Sequence, residues 1–313
     1  MSMEQNYELT QKIQDSVNSI FVGKEQVVEK VLICLLAGGH VLLEDVPGVG
    51  KTTLARTLAK ATDCSWARVQ CTPDTLPGDI VGMSVYNMKT GEFEQRDGVI
   101  MHQIVLVDEI NRTSPKTQAG LLEAMGEGQV TVDGVTRQLP EPFMVIATQN
   151  PVDFLGTYPL PEAQMDRFMM RISIGYPTRE QEIKMASLFL EGKTPDTLEN
   201  ACKPEDILEL RKAVEQVAVK PSVLGYVEDI VDLTRKDPHF LYGISPRGML
   251  ALVRGAQARA FLEQRDYVKP DDVKYVAEAI LMHRLVLTSE AKIMKTDAAT
   301  ILKSLLLKAK VPA

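Results

Sequence analysis

A glycine-rich run that ends in lysine and threonine lies between an apolar segment and a helical pattern. The run covers residues 45–53, follows the apolar residues 41–44, and precedes leucines and alanines at helical spacing. Glycines let the backbone curl so that several N–H groups point at one anion, and the helix start adds partial positive charge. Lys51 would then contact the β- and γ-phosphates of a nucleotide, and the Thr52 hydroxyl would ligate magnesium. The sequence therefore predicts a phosphate-binding loop.

The predicted loop departs from the full phosphate-loop pattern at one position. The pattern begins with glycine, whereas this sequence has Asp45 there. This glycine position is the first of the loop and is not one of those that cradle the phosphates, so we expect the departure to be tolerated. A glycine-rich turn that only connects a strand to a helix is the alternative interpretation. The residues assigned here to nucleotide binding are Pro47, Gly48, Val49, Gly50, Lys51, Thr52 and Thr53.

Two adjacent carboxylates, Asp108 and Glu109, follow the apolar residues 105–107. Ligands of open α/β sheets bind where parallel strands end. Adjacent carboxylates beside a core strand are costly unless a cation or a water network compensates them. Asp108 is predicted to hold magnesium, mostly through water, and Glu109 to orient and deprotonate the attacking water. An ordinary polar turn after a strand is the alternative.

Composition and charge are those of a folded protein without a visible nucleic-acid or membrane surface. The 313 residues are 45% hydrophobic and 25% charged, with a net charge of −7, which fits a globular chain. No apolar run approaches the ~18 residues of a membrane span, and the N-terminus lacks a signal-peptide pattern, so we expect a cytoplasmic protein. The cysteines lack zinc or redox spacing and are expected to be reduced, mostly buried thiols; they are Cys34, Cys64, Cys71 and Cys202.

The first half of the chain alternates apolar strands with helical patterns, which predicts a parallel α/β sheet with crossover helices. Helices are expected at residues 7–20 and through Val27, Val31 and Leu35, and strands at 40–44, 66–71, 104–107, 143–147 and 170–174. Two hairpins are predicted within this pattern, at residues 86–93 and 130–137; the Asp133-Gly134 pair in the second is a strong hairpin signal.

Beyond residue 176 the strand pattern stops and one helix start follows another. Helix starts are indicated at Pro204, at Ser245-Pro246 and at Pro270, and leucines near the C-terminus predict a last amphipathic helix. We therefore expect residues 1–176 to form an α/β nucleotide-binding domain of the P-loop NTPase class, and residues 177–313 to form a smaller, all-helical lid domain.

Four segments together resemble the MoxR family of AAA+ ATPases. They are Glu44 to Thr52, Asp108 to Arg112, Ala147 to Pro151, and Tyr158 to Phe168. The similarity covers nearly the whole chain. It implies an AAA+ sheet domain with a helical lid, ATP and Mg²⁺ as cofactors, and a homo-oligomer arranged as a hexameric ring. It also implies a protein client and a partner with a von Willebrand factor A domain. It implies that the two hairpins face the ring channel or a partner; two solvated hairpins that only brace the sheet are the alternative.

The resemblance assigns roles to further residues. Asn150 matches the polar sensor of the γ-phosphate, Arg167 the arginine finger given to the neighbouring subunit, and Arg247 a second sensor that reaches the phosphates from the lid. Val22 and Gly23 match the segment that lines the adenine pocket. A turn cap at Asn150, salt bridges at both arginines and a plain turn at Gly23 are the alternatives. A cation just inside a helix start is electrostatically unfavourable, which supports an anion near Arg247.

Three functions are compatible with these residues. The first is an ATP-driven chaperone that remodels or matures protein complexes. The second is a nucleotide-dependent binding switch with little turnover, which is disfavoured because the sequence has a residue for each expected catalytic role. The third is a chelatase-like or helicase-like motor, since such relatives share the hairpins. A nucleic-acid substrate is disfavoured because the chain has one Trp and no aromatic-rich basic face.

Overall fold

The computed structural model describes residues 2–150 and 156–312. The strands of these residues are β1 (Val41–Glu44), β2 (Trp66–Gln70), β3 (Gly82–Asn87), β4 (Glu92–Asp97), β5 (Ile104–Asp108), β6 (Gln129–Val132), β7 (Val135–Gln138), β8 (Met144–Gln149), β9 (Met170–Ile172), β10 (Phe240–Tyr242) and β11 (Val286–Leu287). The core is a five-stranded parallel sheet in the order β2-β5-β8-β1-β9. All five strands predicted for the sheet are therefore present.

Helices cover the sheet and form the second half of the chain. They are α1 (Met3–Ile20), α2 (Glu25–Leu36), α3 (Lys51–Ala61), α4 (Pro77–Val81), α5 (Pro115–Glu127), α6 (Glu162–Met165), α7 (Arg179–Leu190), α8 (Pro204–Glu215), α9 (Pro221–Lys236), α10 (Pro246–Leu262), α11 (Pro270–Leu281), α12 (Ser289–Ile293) and α13 (Ala298–Lys308). The helix starts predicted at prolines are confirmed, and the α10 start is capped by Ser245, whose side chain accepts a hydrogen bond from the Gly248 N–H.

The strand order brings the predicted functional segments to one edge of the sheet. Strand β5 is buried along its whole length, as expected for a parallel strand covered on both faces. It lies between β2 and β8, and β1 lies on the other side of β8. Parallel strands end at the same edge, so residues that follow β1, β5 and β8 meet there.

The two predicted hairpins are present and are joined to each other. Strands β3 and β4 form one antiparallel pair, and β6 and β7 form the other. An ion pair between Asp97 of β4 and Arg137 of β7 links them. Helices α4 and α5 pack together beneath the hairpins, where the Thr117 hydroxyl donates to the Thr75 carbonyl.

The helical part shares its apolar core with the sheet domain. Helix α10 packs against α1 and α2, and α11 packs against β9. One continuous cluster of buried side chains runs from Ile13 to Ala309. The helical part also contains one short antiparallel pair, β10 with β11, in a region where the sequence indicated helices alone. Strands of two or three residues are too short to show a clear period of two.

Two further expectations concern the state of the cysteines and the length of apolar helices. All four cysteines are buried and unpaired, as predicted. Among residues 2–150 and 156–312, no helix is long and apolar enough to cross a membrane.

Candidate functional site

The phosphate loop connects β1 to α3, and its two glycines have backbone conformations that other residues rarely adopt. The φ angles are +85° at Gly48 and +93° at Gly50. A Cβ atom on Gly50 would also lie 3.1 Å from the Phe21 ring. Gly50 is the N-cap of α3 and has no side chain to cap it. The first N–H groups of α3 are therefore left to bind an anion, which the partial positive charge of the helix start also favours.

A cavity of about 410 Å³ opens in front of this loop. Its walls carry the loop, the two carboxylates and polar side chains of neighbouring strands: Pro47, Gly48, Gly50, Lys51, Thr52, Thr53, Arg68, Gln70, Asp108, Glu109, Thr148 and Asn150. Asn150, expected as a sensor, lies directly after β8; Pro151, the next residue of that motif, lies outside the described residues. A larger cavity of about 690 Å³ beside α1 contains none of the predicted site residues.

Asp45, which replaces the first loop glycine, anchors the loop to the segment that follows β9. Its Oδ2 atom accepts hydrogen bonds from the N–H groups of Ile174 and Gly175, both at 2.7 Å, and from the Ser173 hydroxyl at 3.0 Å. Burial alone would raise the pKa of Asp45, but these hydrogen bonds and one from the Val46 N–H hold the pKa below its ordinary value. The carboxylate is therefore a structural group, and it is turned away from the phosphate cavity.

Lys51 lies among carboxylates at the base of the cavity. Its ammonium donates a hydrogen bond to the Asp45 carbonyl. Burial lowers the pKa of Lys51, while the nearby charges of Asp45, Asp108 and Glu109 act in the opposite direction. A cation in this position, next to the free N–H groups of α3, is suited to bind phosphate oxygens.

Asp108 ends β5 as a buried carboxylate with two partners. Its Oδ2 accepts from Arg68 Nε at 2.6 Å, and its Oδ1 accepts from the Thr148 hydroxyl at 3.2 Å. Among the described residues no group of three or more His, Cys, Asp or Glu side chains could hold a metal by itself. Magnesium usually needs only one or two protein oxygens and completes its shell with water and phosphates. Thr52 and Asp108, both in the cavity wall, fit that requirement.

Glu109 has an unusual backbone conformation that turns its side chain toward the cavity. Its φ and ψ are +56° and +50°, a left-handed conformation that costs a non-glycine residue about 1 kcal/mol or more. Its N–H donates to the Thr148 hydroxyl at 2.9 Å. Its Oε2 atom accepts from Gln70 Nε2 and from Arg112, both at 3.0 Å. Strained residues cluster at active sites, and Gln70 and Arg112 hold the Glu109 carboxylate in this structure.

A small apolar cavity adjoins the phosphate cavity. It is about 60 Å³, shares Gly48, Gly50 and Thr53 with the larger cavity, and is lined also by Val22 and Val49. The wall is completed by Ile20, Phe21, Lys24, Gly175, Pro177 and Met185. Gly23 has a φ of +74°, and its carbonyl accepts from Gln181 Nε2 at 2.6 Å. The segment predicted to line an adenine pocket is thus beside the phosphate loop.

The structure places Arg167 and Arg247 together, but not at the phosphate loop of their own chain. Both line another cavity, of about 310 Å³. Asp166 joins their two segments, because it accepts hydrogen bonds from Ser245 at the start of α10 and from Arg284. The described residues that line the phosphate cavity all precede position 151. The expected reach of Arg247 to the phosphates of its own subunit is therefore not seen, since the shared core holds α10 against α1 and α2.

Sequence reasoning missed several polar residues of the cavity wall. Arg68 and Gln70 lie two positions apart on β2 and so project from the same face of the strand; Arg68 also donates to Gln70 Oε1 at 3.1 Å. The sequence signal that could have placed them in the cavity wall was a pair of polar side chains, one charged and one amide, within a strand beside β5. Thr148 gave no such signal, because a threonine in a buried strand is ordinary.

Comparison with known proteins defines the class. Residues 40–170 match the family model described as "ATPase family associated with various cellular activities (AAA)", and residues 232–305 match the model of the AAA lid domain. The fold is thus that of an AAA+ ATPase domain with its lid.

Similar proteins narrow this class to one family. The uncharacterized protein YeaC of Bacillus subtilis is 50% identical over 309 residues, which are 99% of this chain and 97% of that protein. Chaperone MoxR1 of Mycobacterium tuberculosis is 40% identical over 284 residues, 88% of this chain and 75% of the relative. A crystal structure of a proposed ATPase from Cytophaga hutchinsonii has a TM-score of 0.93 and 38% identity, with 99% of this chain and 97% of that chain covered. The chain belongs to the MoxR family of AAA+ ATPases.

Proposed function

We propose that this protein hydrolyses ATP with magnesium and works as a ring-forming chaperone that remodels or matures protein complexes. The observation that carries the proposal is the phosphate cavity. It combines an anion-binding helix start and Lys51 with the carboxylates of Asp108 and Glu109. This is the combination that phosphoryl transfer to water requires.

Each group in the cavity has a chemical task. The N–H groups of the loop and Lys51 bind phosphate oxygens and offset their charge. Magnesium, bound by Thr52 and Asp108, would supply further charge neutralisation. Glu109 accepts the proton of the attacking water, for which it must exchange at least one of its present donors, Gln70 and Arg112. Asn150 would position the same water or the γ-phosphate.

A neighbouring subunit would complete the site. Arg167 and Arg247 lie together in a cavity away from the loop, so a second copy could present both to this ATP. Cations placed there stabilise the charge of the transition state, and one arginine finger is worth about 10³–10⁵ in rate. Family members are generally oligomeric, and we propose a hexameric ring.

The biological setting follows from the family relationship. We propose a cytoplasmic protein that acts on a protein client together with a partner containing a von Willebrand factor A domain. The name Chaperone MoxR1 of one relative supports the remodelling role. The joined hairpins, β3–β4 and β6–β7, are the proposed contact with the client or partner.

The first experiment measures ATP hydrolysis per subunit against protein concentration, with magnesium in excess. A shared site predicts specific activity that rises steeply as subunits assemble. Arg167→Ala should remove this rise, whereas Lys303→Ala, which removes an exposed cation of α13, should keep it. Constant specific activity from a protein that stays monomeric would contradict the ring. Absence of turnover at every concentration would favour the binding switch.

A mixing experiment tests whether the arginines act between subunits. Glu109→Gln and Arg167→Ala should each be nearly inactive alone. In a random one-to-one mixture, about a quarter of the interfaces would pair an intact Glu109 with an intact Arg167 from the neighbour. Recovered activity supports action between subunits, and no recovery supports action within one subunit. A mixture of Glu109→Gln with Arg247→Ala tests in the same way whether Arg247 acts between subunits.

A further inference from the structure

Helix α7 lies on the surface with an apolar face that no residue within 2–150 or 156–312 covers. None of its twelve residues is buried, and Phe189 and Leu190 are 78% and 84% exposed. A helix of this length is marginal by itself and is normally stabilised by packing its apolar face. Here Thr178 and Gln181 form a capping box, and Gln181 also bonds to Gly23. The remaining apolar side chains are available for another protein surface.

Helix α7 lies next to the proposed nucleotide site. Pro177, just before the helix, and Met185 within it both line the small apolar cavity beside the phosphate loop. A protein surface seated on α7 would therefore border the nucleotide. Under the proposed function, that border is where a neighbouring subunit must bring Arg167 and Arg247.

The surface that carries those arginines has matching properties. Leu250 lies three residues after Arg247 on α10, which puts the two on the same side of the helix. Leu250 is 65% exposed and lines the cavity of Arg167 and Arg247. Helix α7 carries two acids and two cations, so its charges balance, and the acids Glu180 and Glu182 lie in the first turn, away from Phe189 and Leu190. The two surfaces therefore match in their exposed apolar side chains, and each borders one part of the proposed site: α7 borders the small apolar cavity, and Leu250 borders the arginines.

We infer that α7 of one subunit packs against the α10 surface around Leu250 of the next subunit. The two surfaces are different parts of the chain, so the contact is head-to-tail and can close a ring. This contact rests on the proposed function, and it would hold the neighbour's arginines next to the nucleotide site. The occupant of α7 is a second copy of this chain.

Cysteine crosslinking tests the contact directly. Phe189→Cys and Leu250→Cys are made in separate chains, mixed with ATP and magnesium, and treated with a short bismaleimide. The four native cysteines are buried, so labelling should occur at the new sites. We expect covalent dimers from the mixture and none from either variant alone. Ile293→Cys, at a side chain of α12 that is 81% exposed, mixed with Leu250→Cys is the control and should give none.

A second measurement uses assembly. Phe189→Ser with Leu190→Ser should raise the protein concentration needed for half-assembly by at least about tenfold, as expected for apolar side chains at the centre of an interface. Nucleotide affinity of the monomer should stay within about twofold, because neither side chain lines the cavities. Ile293→Ser with Met294→Ser removes a similarly exposed apolar pair of the lid and should assemble normally.

The outcomes separate the inference from the function on which it rests. If the unmodified protein assembles and its activity rises with concentration, but the Phe189/Leu190 variant assembles like the control or the crosslink is absent, the α7 contact is wrong and the ring stands. If the unmodified protein remains monomeric at all concentrations, both are wrong.

Discussion

Replacing Asp45 should destabilise the protein although the residue stands where a phosphate loop normally has glycine. Its carboxylate accepts hydrogen bonds from Ile174, Gly175, Ser173 and Val46. Asp45→Ala leaves backbone donors unpaired in a buried region, and hydrogen bonds to a charged acceptor contribute about 1.5–3 kcal/mol each. Removal of a costly buried carboxylate offsets part of the loss, so we expect a net change in the free energy of unfolding of about 3 kcal/mol.

Thermal unfolding with and without nucleotide provides the assay. For a chain of this length 1 kcal/mol corresponds to about 2 °C, so Asp45→Ala should lower Tm by about 6 °C. The matched control is Glu44→Ala at the adjacent carboxylate, which pairs with Arg171 at 3.0 Å near the surface. A partly exposed pair contributes at most about 1 kcal/mol, so the control should shift Tm by less than about 2 °C.

Two results would refute this reasoning. Equal shifts for Asp45→Ala and Glu44→Ala would mean that the hydrogen bonds to Asp45 contribute nothing beyond an ordinary ion pair. The second result is a Tm of the unmodified protein that stays above that of Asp45→Asn even at very low pH, where the Asp45 carboxylate is protonated. The pKa of Asp45 is lowered by folding, so its charge stabilises the protein above the ordinary pKa of about 3.9, and this stabilisation is lost as pH falls through the lower folded-state pKa.

Three further predictions follow from groups around the sheet. Glu109→Gln should bind ATP normally but reduce kcat by about 10²–10⁴, measured by phosphate release, and unchanged turnover would exclude it as the base. Arg68→Gln removes the cation that pairs with Asp108, so the Mg²⁺ concentration for half-maximal stabilisation by ADP should fall about two- to fivefold in a thermal-shift titration; an unchanged requirement would show that Arg68 does not compete with the metal. His40 is buried with its pKa lowered to about 4, chiefly by desolvation, and its Nδ1 accepts from the Val145 N–H. Folding therefore favours the neutral ring, and acid unfolding should show a loss of about 3 kcal/mol between pH 6.5 and 4 that His40→Gln lacks.

The parallel sheet and the central residues of the proposed phosphate site were predictable because their sequence signals are local. The run from Gly48 to Thr52 needs glycine for its backbone angles and a lysine and a threonine for its ligand, all within one turn. The buried apolar run before Asp108 marks a central strand, and the carboxyl ends of parallel strands share one edge. Helix starts at Pro204, Pro246 and Pro270 were readable because proline fits the first turn of a helix and few other places.

The sequence by itself determined the class of fold, the ATPase family resemblance and the residues of the proposed phosphate site, since each depends on residue types at short, fixed spacing. Only the tertiary structure decided that Asp45 anchors the loop to residues 173–175, that Arg68 compensates Asp108, and that Arg247 lies beside Arg167 instead of beside Lys51. These relations join residues from about 40 to more than 120 positions apart. They depend on how β2 registers with β5 and how α10 packs on α1 and α2, and such packing leaves no periodic signal in the chain.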